Sequence, residues 1–207
     1  LRHLRGDDVV RLAQVRDSDG LLIGVMPLVI SPQYGRLRVA QTSNWIHLQC
    51  YCGTPMVRAG EETEFWLALL ELLDRSDWAA GFLSMRLAYA DGPVMQGLEQ
   101  AAKLTGRMLD VAQQYDRATL ASNADALSYV EATIRPKKRK ELRRQAKRLA
   151  EQGKITFEKL APDGPVTDWC DQYLKLEAAG WKGKGGTALG VNDAWSCFFR
   201  ESMTSAH

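Results

Sequence analysis

The order of apolar and polar positions predicts a run of strands before a run of helices. Residues 9–16 and 21–30 read as two strands, and Asp17-Ser18-Asp19-Gly20 between them supplies the positive-φ positions of a hairpin turn. Pro27 cannot donate to a ladder, so a bulge or a sheet edge is expected there. Residues 36–41 predict a third strand. The irregular stretch 42–57, which holds Asn44, Trp45, His47, Tyr51 and Gly53, ends in a short fourth strand around 55–57. Residues 61–75 put Phe65, Leu69, Leu72 and Leu73 on one helical face, with Glu61 and Glu62 at the end that favours negative charge. A strand over 82–88, a helix over 94–104 ended by Gly106 and an extended stretch over 107–120 follow. Residues 1–121 are therefore expected to close as one domain, an α/β lobe with an α+β mixed sheet.

Past Ser122 the pattern turns helical. A short helix over 125–132, a long one over 135–152, a strand over 154–160 and helices over 166–179 and 192–203 are predicted, the last two separated by the glycine-rich stretch 180–190. A lone strand cannot build a sheet. Either 154–160 pairs with the first lobe or its partners lie beyond His207, and residues 122–207 read as a basic linker helix and the start of a second lobe.

Composition narrows the class. Hydrophobic residues at 45% and charged residues at 25% are those of a folded globular protein. The longest apolar run, 21–30, is too short to cross a bilayer as a helix, so no membrane span is expected. Cys50, Cys52, Cys170 and Cys197 fit neither zinc-site spacing nor a disulfide scaffold. Reduced thiols, no metal and a cytoplasmic location are the expectations that follow.

Charge adds an asymmetry that the net value of +2 conceals. Residues 135–148 carry nine basic side chains against Glu141 alone, a local charge of +8 that leaves −6 for the rest of the chain. Along this helix Leu142, Ala146 and Leu149 form a narrow apolar stripe, and cations cover most of the remaining circumference. Three roles are open to it: a solvated bridge between lobes, a phosphate or other anion site built from arginine forks, or a nucleic-acid surface.

The helix over 166–179 places Val166, Trp169, Cys170, Tyr173 and Leu174 on a buried face, and Glu177 falls in the same stripe. An inward carboxylate has to be paired, protonated or exposed to a cavity. It either pairs with Lys182 or an arginine of the basic helix, or serves catalysis or substrate orientation. The following segment, Gly180-Trp181-Lys182-Gly183-Lys184-Gly185-Gly186-Thr187, reads as a helix cap and turn or as a loop whose N–H groups converge on an anion; it lacks the order of a P-loop. His47, the only histidine away from the termini, reads as a loop histidine, since no nucleophile motif stands beside it.

The string Arg139-Lys140-Glu141-Leu142-Arg143-Arg144, then Lys147-Arg148-Leu149-Ala150-Glu151, then Leu176-Glu177-Ala178-Ala179-Gly180-Trp181-Lys182-Gly183 and Gly186-Thr187-Ala188-Leu189, resembles the CelD-like branch of the GNAT-superfamily acyltransferases, which is related to the Fem-type aminoacyl transferases. The hairpin strand Gly24-Val25-Met26-Pro27-Leu28 is similar to the first lobe of that family. The resemblance implies two GNAT-like lobes side by side and transfer of an acyl group, acetyl in the simplest case, from acyl-CoA to an amine or hydroxyl acceptor. That acceptor is a small molecule or glycan precursor, often in envelope or exopolysaccharide biosynthesis. A tRNA-dependent Fem-type transferase and a non-catalytic anion-binding module are the alternatives. The Gln/Arg-x-x-Gly-x-Gly/Ala pyrophosphate loop of the superfamily occurs nowhere in the chain. It then lies in a part of the second lobe beyond His207, or the family carries a degenerate version. The candidate catalytic residue is Glu177, and the candidate substrate-binding residues are Arg139, Arg143, Arg144, Trp181, Lys182, Gly183 and Lys184.

Overall fold

The computed structural model describes residues 3, 4, 6 and 8–207. The chain divides into two compact units, one formed by the described residues up to Asp110 together with Trp169–Ala206, the other by residues 111–168 with His207. The boundary read from the sequence at 121/122 lies inside the second unit. The fold is mixed α/β with one mixed sheet. Among the described residues no helix is long and apolar enough to cross a membrane.

In the first unit, β1 (Arg11–Arg16) and β2 (Leu22–Ser31) form an antiparallel hairpin, Ala13 opposite Met26. Its turn is built by Asp17, whose Oδ1 accepts the N–H groups of Leu21 at 2.8 Å and Asp19 at 3.1 Å, and by Gly20 at φ 78°. β3 (Gln41–Asn44) runs antiparallel to β2, as does β4 (Met56–Val57), and β5 (Leu83–Ser84) runs parallel to β3. The order is β1-β2-β3-β5, with β4 paired to β2. A parallel neighbour needs a crossover, and α1 (Glu62–Arg75) lies in it. α2 (Pro93–Leu104) follows β5 and starts with proline, where a missing N–H costs nothing.

The core lies between the sheet and α1 and α2. Ala13, Val15, Met26 and Leu28 meet Phe65, Trp66, Leu69 and Leu70 of α1 and Leu98 and Ala101 of α2. Trp66 keeps its indole N–H satisfied inside by donating to the Val94 carbonyl at 2.7 Å. Gly97 lets α2 approach α1 closely, because a Cβ there would stand 2.7 Å from Glu62 Cβ. The buried face of α1 corrects the predicted one: Trp66 and Leu70 are in it, and Leu72 is 43% exposed.

Three strand expectations also change. Pro27 sits in β2, which is central, while the irregularity in the ladder lies at Val15/Arg16. The Pro27 carbonyl accepts from Trp45 N at 2.7 Å, one residue past the end of β3; a residue's N–H points to the same side as its carbonyl, so the missing donor falls where the neighbouring strand has stopped. The third strand is Gln41–Asn44, whereas Leu37 of the predicted segment 36–41 only bridges back to Tyr34. Of 82–88 only Leu83–Ser84 is strand, because its sole partner, β3, pairs with it over two residues.

The second unit holds α3 (Ala126–Thr133) and α4 (Pro136–Ala150). Asp125 caps α3 by accepting from Leu127 N at 3.0 Å and Ser128 N at 3.1 Å. The expected extended stretch over 107–120 and strand over 154–160 form no ladder, and Phe157 is 97% exposed. No residue from 111 to 168 is buried. A segment of strand-like composition with no adjoining strand to pair with joins no ladder and stays irregular.

Candidate functional site

The first unit is completed by α5 (Val166–Ala179) from Trp169 onward, α6 (Trp181–Lys184), a 3-10 turn over Leu189–Val191 and α7 (Asp193–Ala206). Cys170 and Leu174 of α5 are buried, whereas Trp169 and Tyr173 are 40% and 44% exposed, so the inward face is narrower than its spacing predicts. Tyr173 packs its ring on Phe199 of α7, 5.1 Å between centroids. One turn further, the Glu177 side chain is only 7% exposed.

Glu177 is the hub of this region. Its Oε1 accepts from Lys182 Nζ at 2.6 Å and from the Tyr173 hydroxyl at 3.4 Å, and its Oε2 accepts from Leu189 N at 2.8 Å. One carboxylate thus joins α5, α6 and the 3-10 turn. Of the partners foreseen for it, the structure selects Lys182. The lysine and the Leu189 N–H hold the Glu177 carboxyl below its ordinary range against the opposing effect of burial, and Glu177 in turn raises the Lys182 ammonium above its own. Both are therefore charged at neutral pH. An anionic carboxylate already accepting three hydrogen bonds is a weak base, and in this geometry Glu177 ties the turn together.

The chain around it folds for local reasons. Gly183 is required where it stands, since a Cβ would run into the Ala178 carbonyl. Gly186 adopts φ 69°. Gly185 N donates to Trp181 O at 2.9 Å, Gly186 N to Gly183 O at 3.1 Å, and Thr187 N to Lys182 O at 2.9 Å. The turn consumes these N–H groups itself, which makes it a helix cap and turn. Trp181 is left 77% exposed beside the paired Lys182, and Lys184 is exposed.

The structure therefore brings Glu177, Trp181, Lys182, Gly183 and Lys184 into one locality. Arg139, Arg143 and Arg144 lie on α4, in the other unit. Arg139 Nη1 donates to the carbonyls of Glu131 at 2.7 Å and Ile134 at 2.9 Å, which ties α4 to the end of α3. Arg144 pairs with Glu141 at 2.8 Å. Arg143 makes no ion pair with a described residue.

A second constellation in the first unit escaped the sequence reading. Asn44, 2% exposed, accepts from Arg86 N and donates to the carbonyls of Arg86 and Gly53, all at 2.9 Å. The next residue, Leu87, is held at φ 56°, a left-handed conformation uncommon outside glycine, and its carbonyl accepts from Gly53 N at 2.8 Å. His47 lies in the loop so pinned, between Trp45 and Phe198, and burial lowers its pKa. Its Nδ1 accepts from Gln49 N at 3.2 Å, which places the proton of the neutral ring on Nε2. The signal available in sequence was Asn44 and Gly53 in an irregular stretch, without their distant partner at 86. A shallow cleft of about 280 Å³ opens nearby, lined in part by Gln41, Ser43, Asn44, Trp45 and Arg86; none of the predicted site residues lines it.

The four cysteines are free thiols, and among the described residues no group of three or more His, Cys, Asp or Glu side chains converges to hold a metal ion. The chain matches no protein-family model, no curated protein and no solved structure.

Proposed function

We propose that the protein is a GNAT-type acyltransferase of the CelD-like kind, moving an acyl group, acetyl in the simplest case, from acyl-CoA to an amine or hydroxyl of a small-molecule or glycan-precursor acceptor. The observation that carries this reading is that the last two of the four sequence blocks in which the resemblance lies are bonded to each other; the other two lie on α4. Leu176 to Gly183 and Gly186 to Leu189 are held together by the bonds of Glu177 to Lys182 and to Leu189 N. A mixed sheet in which an antiparallel meander is extended by a parallel strand through a helical crossover is compatible with a GNAT-like lobe.

In the reaction the acceptor nitrogen or oxygen attacks the thioester carbonyl. The new C–N or C–O bond forms as the C–S bond breaks, the acceptor loses its proton, and the thiolate leaves to become CoA thiol. Glu177 serves this chemistry by fixing the turn that presents Trp181 and Lys182, since misplaced groups lose the advantage of proximity. Lys182, held as a cation and 41% exposed, can meet a phosphate or carboxylate of donor or acceptor.

Titration calorimetry of the purified protein with acetyl-CoA and longer acyl-CoAs tests the proposal: binding by at least one is expected, and heat from none of them removes it. A second reading, a Fem-type transferase using aminoacyl-tRNA, is favoured by the unpaired cations of α4. It requires tRNA binding that falls steeply between low and high salt in a gel shift.

A further inference from the structure

We propose that α4 docks on anionic lipid, lying in the plane of a membrane surface with its leucine stripe turned toward the bilayer. The proposal does not depend on the transferase reading. Leu142, Ala146 and Leu149 stand at i, i+4 and i+7, on one face of a helix about 22 Å long. No residue of α4 is buried, and Leu142 and Leu149 are 41% and 56% exposed. At 100° per residue, Lys138 borders this stripe on one side, Arg143 stands about 60° beyond its edge on the other, and Lys137, Lys140, Lys147 and Arg148 occupy the opposite arc. These six cations make no ion pair or side-chain hydrogen bond with a described residue, while the one acid of the helix, Glu141, is neutralised by Arg144.

Charge complementarity names the partner's sign, and the leucines name its class. The helix is about 10–12 Å across, so cations on every side of it lie close to one Debye length of a surface that its apolar stripe touches. Long lysine and arginine stems let the bordering charges reach headgroups while the leucines enter the acyl boundary. A nucleic acid uses the cations but gains nothing from exposed leucines, and α4 has no aromatic side chain on which a base could stack. The rest of the chain carries −6, so an anionic surface attracts this segment selectively.

The test is co-sedimentation of the whole protein with phosphatidylcholine vesicles, with and without phosphatidylglycerol, at low and high salt. Partition is expected only onto vesicles containing phosphatidylglycerol, and it should weaken with salt. Replacing Lys138 and Lys147 by Gln should reduce it roughly fivefold for each cation. Leu142→Asn with Leu149→Asn, which leaves the charge unchanged, should reduce it by about tenfold. All four positions are exposed, and far-UV circular dichroism checks that the helix persists. Absence of partition onto the anionic vesicles overturns the proposal. So does partition that is insensitive to the leucine pair and is displaced by RNA, which would make α4 a nucleic-acid surface. Acyl-CoA titration is a separate readout, so either reading can fail alone.

Discussion

Replacing Glu177 by Gln keeps the shape of the side chain and removes its charge, and the consequence should be largest at the Leu189 amide. In the native chain Leu189 N–H donates to a carboxylate at 2.8 Å, a charge-assisted bond, and that carboxylate is only 7% exposed. Charge-assisted bonds contribute about 1.5–3 kcal/mol and neutral ones about 0.5–1.5 kcal/mol, so the substitution should cost about 1–2 kcal/mol locally. Loss of the lysine adds little, because the Lys182 side chain is 41% exposed and water can replace its partner. In hydrogen exchange followed by NMR, the protection of Leu189 N–H should therefore fall roughly fivefold to thirtyfold. The amides of Thr187 and Ala188, which donate to Lys182 O at 2.9 and 3.2 Å, should loosen with it as the lysine loses its anchor. Amides of β2 should be unchanged. Equal protection of Leu189 in the native protein, Glu177→Gln and Glu177→Ala would refute the reasoning, for it would mean that the carboxylate does not hold the turn.

Four further outcomes follow, two from the pH dependence of the same ion pair and two from other contacts. Because the carboxyl of Glu177 is depressed in the folded state, its contribution is present above the ordinary glutamate value near 4.5 and is lost as pH falls through the depressed one; the Tm gap between native protein and Glu177→Gln should hold constant down to about that pH and close below it, and a gap of full size in strong acid would contradict this. Lys182, raised in the folded state, loses its share only as pH rises through a value above its ordinary 10.5, so the same gap should narrow again in strong alkali. Asn44→Leu removes three hydrogen bonds and strands the backbone groups of Arg86 and Gly53, which should lower stability by about 3 kcal/mol and Tm by roughly 10 °C in a thermal melt. Gly97→Val should force α1 and α2 apart at Glu62 and cost about 1–3 kcal/mol in denaturant unfolding, while Gly81→Ala, whose Cβ meets nothing within 4 Å, serves as the neutral comparison.

Helices, caps and the hairpin were legible in the chain itself. The helix Val166–Ala179 falls where its periodicity places it, the Asp17–Gly20 turn carries its own side-chain acceptor and its positive-φ glycine, and Pro136 opens the basic helix. Each depends on residues within a few positions of one another, and so does the Glu177–Lys182 pair, five residues apart. Strand identity was different, because a strand exists only if a neighbour accepts it. Residues 154–160 have strand composition and no strand partner among the described residues, whereas Thr42-Ser43-Asn44 reads as irregular loop and is strand. Those polar residues are buried because tertiary partners satisfy them: Thr42 Oγ1 accepts Ala80 N, and Asn44 binds Gly53 and Arg86. Local order along the sequence determined which segments coil and turn. Only the assembled tertiary structure decided which polar side chains lie inside, since the hydrogen bonds that make their burial tolerable come from residues up to 42 positions away.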